Sequence, residues 1–180
     1  FRMEYTLQWN AYKYRYSDAE PDTPMYVKNY NFLSTPANNF NIEDKWSEVI
    51  NDFSLYSFPV EKNPQQFFKV GAALQNLTGT FVDGKRKYYN IFLHGEYRNK
   101  TKNKKWDIEA GGKFYLAGLN NADFDINASL KRYISRKIGY AQIGLQNVNR
   151  TPSFIFESVS SFNFGNQQAF NKENITRLFG

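Results

Sequence analysis

The chain has 180 residues and a formal net charge of +6, with 23 Lys and Arg against 17 Asp and Glu and a single His. It contains no Cys, which removes disulfides, thiol nucleophiles and thiolate metal sites together. Aromatic residues make up 18% of a chain whose mean hydropathy is −0.66, and no apolar run approaches the ~18–20 residues that a membrane helix requires.

A basic balance raises nucleic acid or an anionic membrane surface as partners. Acidic residues interleave with the basic ones along the same segments, however, so no single-sign footprint forms and no nucleic-acid partner is expected. Many large rings in a polar chain suit a surface where alternate residues meet an apolar phase and water.

The chain opens inside an alternating segment, Phe1, Met3, Tyr5, Leu7, Trp9 and Ala11, and ends at Arg177-Leu178-Phe179-Gly180. Both ends read as cuts, so residues 1–180 are expected to be one β-barrel domain forming an internal fragment of a larger barrel. Residues 1–16 read as a strand whose apolar parity switches at Ala11 to Tyr12, Tyr14 and Tyr16. A bulge would produce that switch, as would passage of the strand into an aromatic, polar zone. Residues 17–24 form an acidic, proline-broken loop, and 25–33 suit a short strand. Residues 35–46 read as a long loop, with a short helix possible over 43–51. A strand over 52–58 follows, and Pro59 to Pro64 separate it from the rest.

From residue 66 onward the pattern becomes regular, and 67–164 is the clearest meander. The apolar positions fall in twos: Phe68, Val70, Ala72 and Leu74; Tyr89, Ile91, Leu93 and Tyr97; Trp106, Ile108, Ala110, Phe114 and Leu116; Phe124, Ile126, Ala128 and Leu130. Polar residues fill the alternate positions, which is the signature of strands with one dry and one wet face. Val82-Asp83-Gly84-Lys85 carries the Asp-Gly hairpin signal. Residues 99–105, 117–121 and 135–137 are further turns, 147–152 contain a loop, and 154–164 suit another strand. Connections this short imply antiparallel neighbours in an up-and-down order.

Charge sets an expected register. Arg98 opposite Glu109 and Lys100 opposite Asp107 also bring Tyr97 to Ala110, Leu93 to Phe114 and Ile91 to Leu116. A next hairpin turning about Asn120 would place Glu109 opposite Lys131, Lys113 opposite Asn127 and Phe114 opposite Ile126. The alternation over 106–116 matches the ~9–11 residues of a tilted membrane-spanning strand, against ~5–6 in a typical globular strand. Tyr97, Trp106, Tyr115 and Tyr133 lie where interfacial aromatics are expected. Arg132 falls on the apolar parity near a strand end, from which its guanidinium can snorkel to the membrane interface.

Catalytic material is sparse. His94 stands alone, and Asp107 with Glu109, or Asp123 with Asp125, pair more naturally with basic neighbours one strand away than with a substrate or Ca²⁺. Gly111-Gly112 opens no helix, so a phosphate-cradling loop is unsupported. No catalytic residue, metal or cofactor is expected.

With the hairpins placed, several stretches carry a resemblance. They are Gly71-Ala72-Ala73-Leu74-Gln75-Asn76-Leu77-Thr78-Gly79, Tyr89-Asn90-Ile91-Phe92-Leu93-His94-Gly95-Glu96-Tyr97-Arg98-Asn99, Trp106-Asp107-Ile108-Glu109-Ala110, Lys113-Phe114-Tyr115-Leu116-Ala117-Gly118-Leu119-Asn120 and Gln146-Asn147-Val148-Asn149-Arg150-Thr151-Pro152. In these the chain resembles the outer-membrane β-barrel porin family of Bacteroidetes-type bacteria. The resemblance implies location in the outer membrane of a Gram-negative bacterium.

The expected fold is therefore an all-β, antiparallel, up-and-down transmembrane barrel. Its lumen would be lined by Glu96, Arg98, Asp107, Glu109, Lys113, Asp125, Lys131, Gln142 and Gln146, and would pass small hydrophilic solutes with weak ion selectivity. Tyr97, Trp106, Tyr115 and Arg132 are the expected membrane-interface residues. Outer-membrane lipids and lipopolysaccharide are the expected surroundings, and protein partners in a complex would be compatible with them. Two alternatives stay open: a structural or complex-forming barrel with a plugged lumen, and a soluble barrel or sandwich whose apolar parity points inward around a ligand.

Overall fold

A computed structural model describes residues 1–30, 40–60, 63–154, 160–162 and 171–180. Among these residues the strands are β1 (Arg2–Asp18), β2 (Phe40–Ser57), β3 (Gln66–Phe81), β4 (Gly84–Lys100), β5 (Trp106–Gly118), β6 (Phe124–Ser135), β7 (Gly139–Arg150) and β8 (Glu173–Phe179), with one helix, α1 (Thr23–Tyr30), between β1 and β2. All eight strands form one antiparallel sheet in sequence order, curled into a half-barrel. β1 to β4 run 16 to 18 residues each, well beyond the ~5–6 of an ordinary globular strand. No helix among the described residues is long and apolar enough to cross a membrane.

The register separates two faces. β1 pairs with β2 without a shift from Arg2–Tyr56 to Asp18–Phe40, so the parity switch at Ala11 involves no bulge. Tyr12, Tyr14 and Tyr16 instead share the concave face with Glu4, Gln8 and Asn10. The convex face carries the apolar parity: Leu7, Trp9, Phe53, Leu55, Val70, Leu74, Ile91, Leu93, Phe114, Ile126, Leu130, Ile143 and Leu145 are all exposed there. Among the described residues the buried apolar side chains lie on the concave face and at the end where β1 meets β2. Tyr26, Phe40 and Ile42 pack with Phe162, and Trp46, Leu77 and Phe81 pack with Tyr88 and Phe154.

Several expectations are corrected. Residues 40–51 belong to β2, neither loop nor helix. The alternation Phe40, Ile42, Trp46 is present there, but Asp44 interrupts it. Residues 25–30 are helical rather than extended, because Asp22 caps the helix: its Oδ1 accepts from Met25 N at 3.3 Å and its carbonyl from Tyr26 N at 3.1 Å. Residues 31–39 lie outside the described residues. Of the strand expected over 154–164, 155–159 and 163–164 lie outside them too, while Phe154 and residues 160–162 are not extended.

The β4/β5 register has Arg98 opposite Glu109, Lys100 opposite Asp107, Tyr97 opposite Ala110 and Leu93 opposite Phe114. A bulge between Ile91 and Phe92 moves Ile91 to Ala117 rather than Leu116. β5/β6 is offset by two residues from the expected pairing: Glu109 meets Ser129, Asp107 meets Lys131, Lys113 meets Asp125 and Phe114 meets Phe124. Two positive-φ residues, Gly118 (φ 106°) and Ala122 (φ 62°), fold the intervening turn. Ala122 N donates to Tyr115 O at 2.9 Å, which closes the hairpin around a longer loop than alternation alone suggests. A two-residue offset leaves every side chain on its original face.

Candidate lumen wall

The nine polar residues singled out on β4 to β7 all stand on the concave face. Arg98 is the centre of their ion pairs: its guanidinium lies 2.9 Å from Glu109 Oε1 and 3.8 Å from Asp107 Oδ2. Lys100 Nζ adds a second contact to Asp107 at 3.8 Å. The ladder does not continue from Glu109 to Lys131, as the register offset requires. Lys131 Nζ lies 4.8 Å from the Tyr140 ring centre. Lys113 Nζ sits 3.8 Å from the Phe92 ring and 4.6 Å from that of Tyr115, a favourable use of the ring faces. Asp125 accepts from Gln146 Nε2 at 3.2 Å. Gln142 stands opposite Lys131, and Glu96 opposite Gly111.

The same face extends over β1 to β3 with residues that sequence reasoning did not single out. Asp52 Oδ2 lies 2.6 Å from His94 Nε2, and Ser54 Oγ donates to Asp52 Oδ1 at 2.6 Å. Lys69 Nζ is 3.9 Å from Glu4 Oε1 and 5.0 Å from the Tyr56 ring centre. An amide–carboxylate chain crosses β1 to β4. Asn10 and Gln75 donate to the two oxygens of Glu48 at 2.6 and 2.5 Å, and the fully buried Asn90 donates to Gln75 Oε1 at 2.9 Å and Asn120 Oδ1 at 2.8 Å. Parity alone would have found Glu4, Lys69, Gln75 and Asn90. Glu48 was hidden in the segment read as irregular.

One end of this wall is filled. The connection between β7 and β8 turns back onto the concave face. Its Phe154 ring lies 4.6 Å from Trp46 and 5.2 Å from Phe81, centre to centre. Ser160 Oγ donates to the buried Asp44 at 2.8 Å. From β1 and α1, Tyr16 and Tyr26 share a hydroxyl hydrogen bond at 2.5 Å, and Tyr26 donates to Asp18 at 2.7 Å. Those two hydrogen bonds push the Tyr26 phenol up from its ordinary value, Tyr16 contributing most.

Beneath the connection lies a cavity of about 290 Å³ lined by Tyr12, Tyr14, Trp46, Gln75, Leu77, Tyr115, Leu119, Asn120 and residues 151–154. Asp123 anchors its rim. Burial raises the Asp123 carboxyl, but Lys172 Nζ at 2.8 Å, the Thr151 amide and hydroxyl at 2.9 Å and the Asn120 amide at 3.0 Å outweigh it and hold the group below the usual carboxylate range.

The candidate interface residues divide. Tyr97, Trp106 and Arg132 stand on the convex face, where the Arg132 guanidinium lies 4.7 Å from the Trp106 ring centre. Tyr115 and Tyr133 occupy the concave face, opposite Phe92 and Tyr140. Tyr115 therefore shares its face with the nine polar residues and not with Tyr97, Trp106 and Arg132. Among the described residues no group of three or more His, Cys, Asp and Glu is arranged to hold a metal ion.

Residues 1–180, the full span of the chain, match the family described as Putative porin. The chain belongs to that family. A search of curated proteins and of solved structures finds no match. The family fits a sheet whose strands are long, antiparallel and sequential, with one apolar face turned outward. It points to transport rather than enzymatic chemistry.

Proposed function

We propose that this porin-family chain forms wall of an outer-membrane β-barrel through which small hydrophilic solutes diffuse passively. One observation carries the reading: a single registered sheet sets exposed Leu, Ile, Phe and Trp on its convex face and hydrogen-bonded polar and charged groups on its concave face. That is the pattern of a lipid-facing exterior around a wet interior. The long connections, 19–39 and 151–172, leave the same end of the sheet, whereas 58–65, 101–105 and 136–138 close the other. By the usual asymmetry of such barrels the long end faces the cell exterior.

Anions and cations alternate along the wall, so ion selectivity is weak, with Arg98, Glu109 and Asp107 the groups that set its balance. In planar bilayers the purified full-length protein should give discrete conductance steps. Glu109→Lys should shift the reversal potential in a salt gradient toward anion preference, and Arg98→Glu toward cations. A protein that inserts stably without any conductance would sink the open-channel reading.

A second reading draws on the docking of Phe154 and Ser160 onto Trp46 and Asp44. There the returning connection narrows the lumen until the barrel serves as a complex-forming scaffold. The two readings separate in the same experiment, because weakening the Asp44 contact should open conductance only in a barrel that was plugged.

A further inference from the structure

The two turns at the short-connection end that join β4 to β5 and β6 to β7 form one surface. Tyr133 N donates to Lys105 O at 2.8 Å, which fixes them side by side. The first, Thr101-Lys102-Asn103-Lys104-Lys105, is rigid: Thr101 Oγ1 donates to Asn103 Oδ1 at 2.7 Å, and Asn103 Oδ1 also accepts from Lys105 N at 3.0 Å. The second, Arg136-Lys137-Ile138, is held by Ile138 N donating to Ser135 Oγ at 3.2 Å and leaves Ile138 69% exposed. Lys102, Lys104, Lys105, Arg136 and Lys137 are all exposed, and neither turn contains a carboxylate. Among the described residues none of the five is ion-paired; the nearest carboxylate in sequence, Asp107, is engaged by Arg98 and Lys100.

The opposite end is mixed in sign. Arg86 there is paired with Asp83 at 2.7 Å beside the exposed Lys85 and Lys87, Lys172 is paired with Asp123 at 2.8 Å, and the connection to α1 begins with Asp18, Glu20 and Asp22. Directly beside the basic turns, on the convex face, stands the Arg132–Trp106 pair. Cations alone on these two turns, an apolar tip among them and an indole on the outward side together form a surface with apolar and anionic requirements at one depth. A phospholipid interface meets both.

The geometry points to this rim as a binding surface for anionic glycerophospholipid headgroups, seated in the leaflet on the short-turn side. The proposal rests on the membrane-barrel reading. Charge complementarity selects the phosphate, and Ile138, Ile134 and Trp106 supply the contacts with the acyl boundary. Each Lys or Arg near an anionic surface contributes about fivefold to partitioning, so five together give a preference of at least about tenfold after sharing and screening.

The test uses the full-length protein in non-ionic detergent with equimolar phosphatidylglycerol and phosphatidylcholine, counting bound lipids by native mass spectrometry. The wild type should retain phosphatidylglycerol at least about tenfold over phosphatidylcholine. A variant with Lys102, Lys104, Lys105, Arg136 and Lys137 all changed to Gln should show parity. The two half-variants, K102Q/K104Q/K105Q and R136Q/K137Q, should each lose part of the preference, and they serve where the fivefold variant does not fold. K85Q/K87Q at the other end should retain it.

No preference in the wild type, an unchanged preference in the rim variants, or an equal loss in K85Q/K87Q overturns the proposal. Rim-dependent displacement of phosphatidylglycerol by lipid A overturns the headgroup assignment. A protein that stays soluble without detergent refutes the membrane reading itself, whereas an embedded protein without lipid preference refutes only the rim.

Discussion

Asp44 in β2 accepts a hydrogen bond from Ser160 Oγ at 2.8 Å, joining residues 116 positions apart. Ser161 N reaches the same carboxylate at 3.2 Å. Asp44 is 1% exposed, so this carboxylate is the buried post on which the returning connection is fixed. Asp44→Ala strands one buried and one half-buried donor and should cost about 1–3 kcal/mol. Protease cleavage within the 151–172 connection should accelerate, and in a barrel plugged by that connection single-channel conductance should rise. Unchanged cleavage and conductance would show that the contact does not hold the connection in place.

The assignment of faces is open to a paired measurement. Leu93 is exposed on the convex face, and Asn127 lies on the concave face opposite Gln146. If lipid covers the first, Leu93→Lys costs about 2–4 kcal/mol, as for Lys at the bilayer midplane. Asn127→Lys, in water, should stay within about 0.5 kcal/mol. Denaturant unfolding in lipid, followed by Trp fluorescence, reads both, and equal effects would contradict the assignment.

Gly71 shows how closely the wall is packed. A Cβ there would collide with the His94 imidazole and the Ser54 hydroxyl. Gly71→Ala should destabilise by about 1–3 kcal/mol through overpacking. Adding His94→Ala should recover part of that loss, a non-additivity expected of touching residues. Additive costs in the double variant would mean that the space lies elsewhere.

Asp123 gives a pH dependence with a definite sign. Its carboxyl is held below the usual range by Lys172, Thr151 and Asn120 despite burial. Because the folded state favours the ionised form, its stabilising contribution is complete above the unfolded value of about 3.9 and is lost as pH falls through the lower folded value. Asp123→Asn should therefore cost about 2 kcal/mol at pH 7, with the gap to wild type closing as the pH falls well below about 4. A gap that persists at pH 2 would assign the cost to geometry alone.

Much of this arrangement is legible in the sequence, for a physical reason. A period of two survives wherever one face of a strand is dry, so β3 to β6 and the wall residues from Glu96 to Gln146 follow from parity. Turn geometry does not. The pairing of Glu109 with Ser129 depends on how Gly118 and Ala122 fold their loop, and nothing in the alternation distinguishes that from a pairing two residues away. The β2 strand was obscured at Asp44, whose partners Ser160 and Ser161 lie far along the chain. The α1 helix has its signal in Asp22 as cap and Pro24 within the first turn, but Met25, Tyr26 and Val27 after them suit a strand equally well.

The Asp44–Ser160 contact also orders events in time. Every strand pair in the sheet joins neighbours in sequence, and five of the seven, from β2/β3 to β6/β7, close short loops and can zip onto the last without waiting for distant chain. Formation of a hairpin takes about 1–10 μs in water, and local pairings of this kind speed folding. The connection between β7 and β8 obeys a different clock. Its site on Trp46, Phe81 and Asp44 exists only once β2 and β3 are paired, and its own residues arrive only after β7. Docking therefore waits for both the β2/β3 pairing and the arrival of the chain beyond β7. A slow final phase that reports on Trp46 and vanishes in Asp44→Ala would be its kinetic signature.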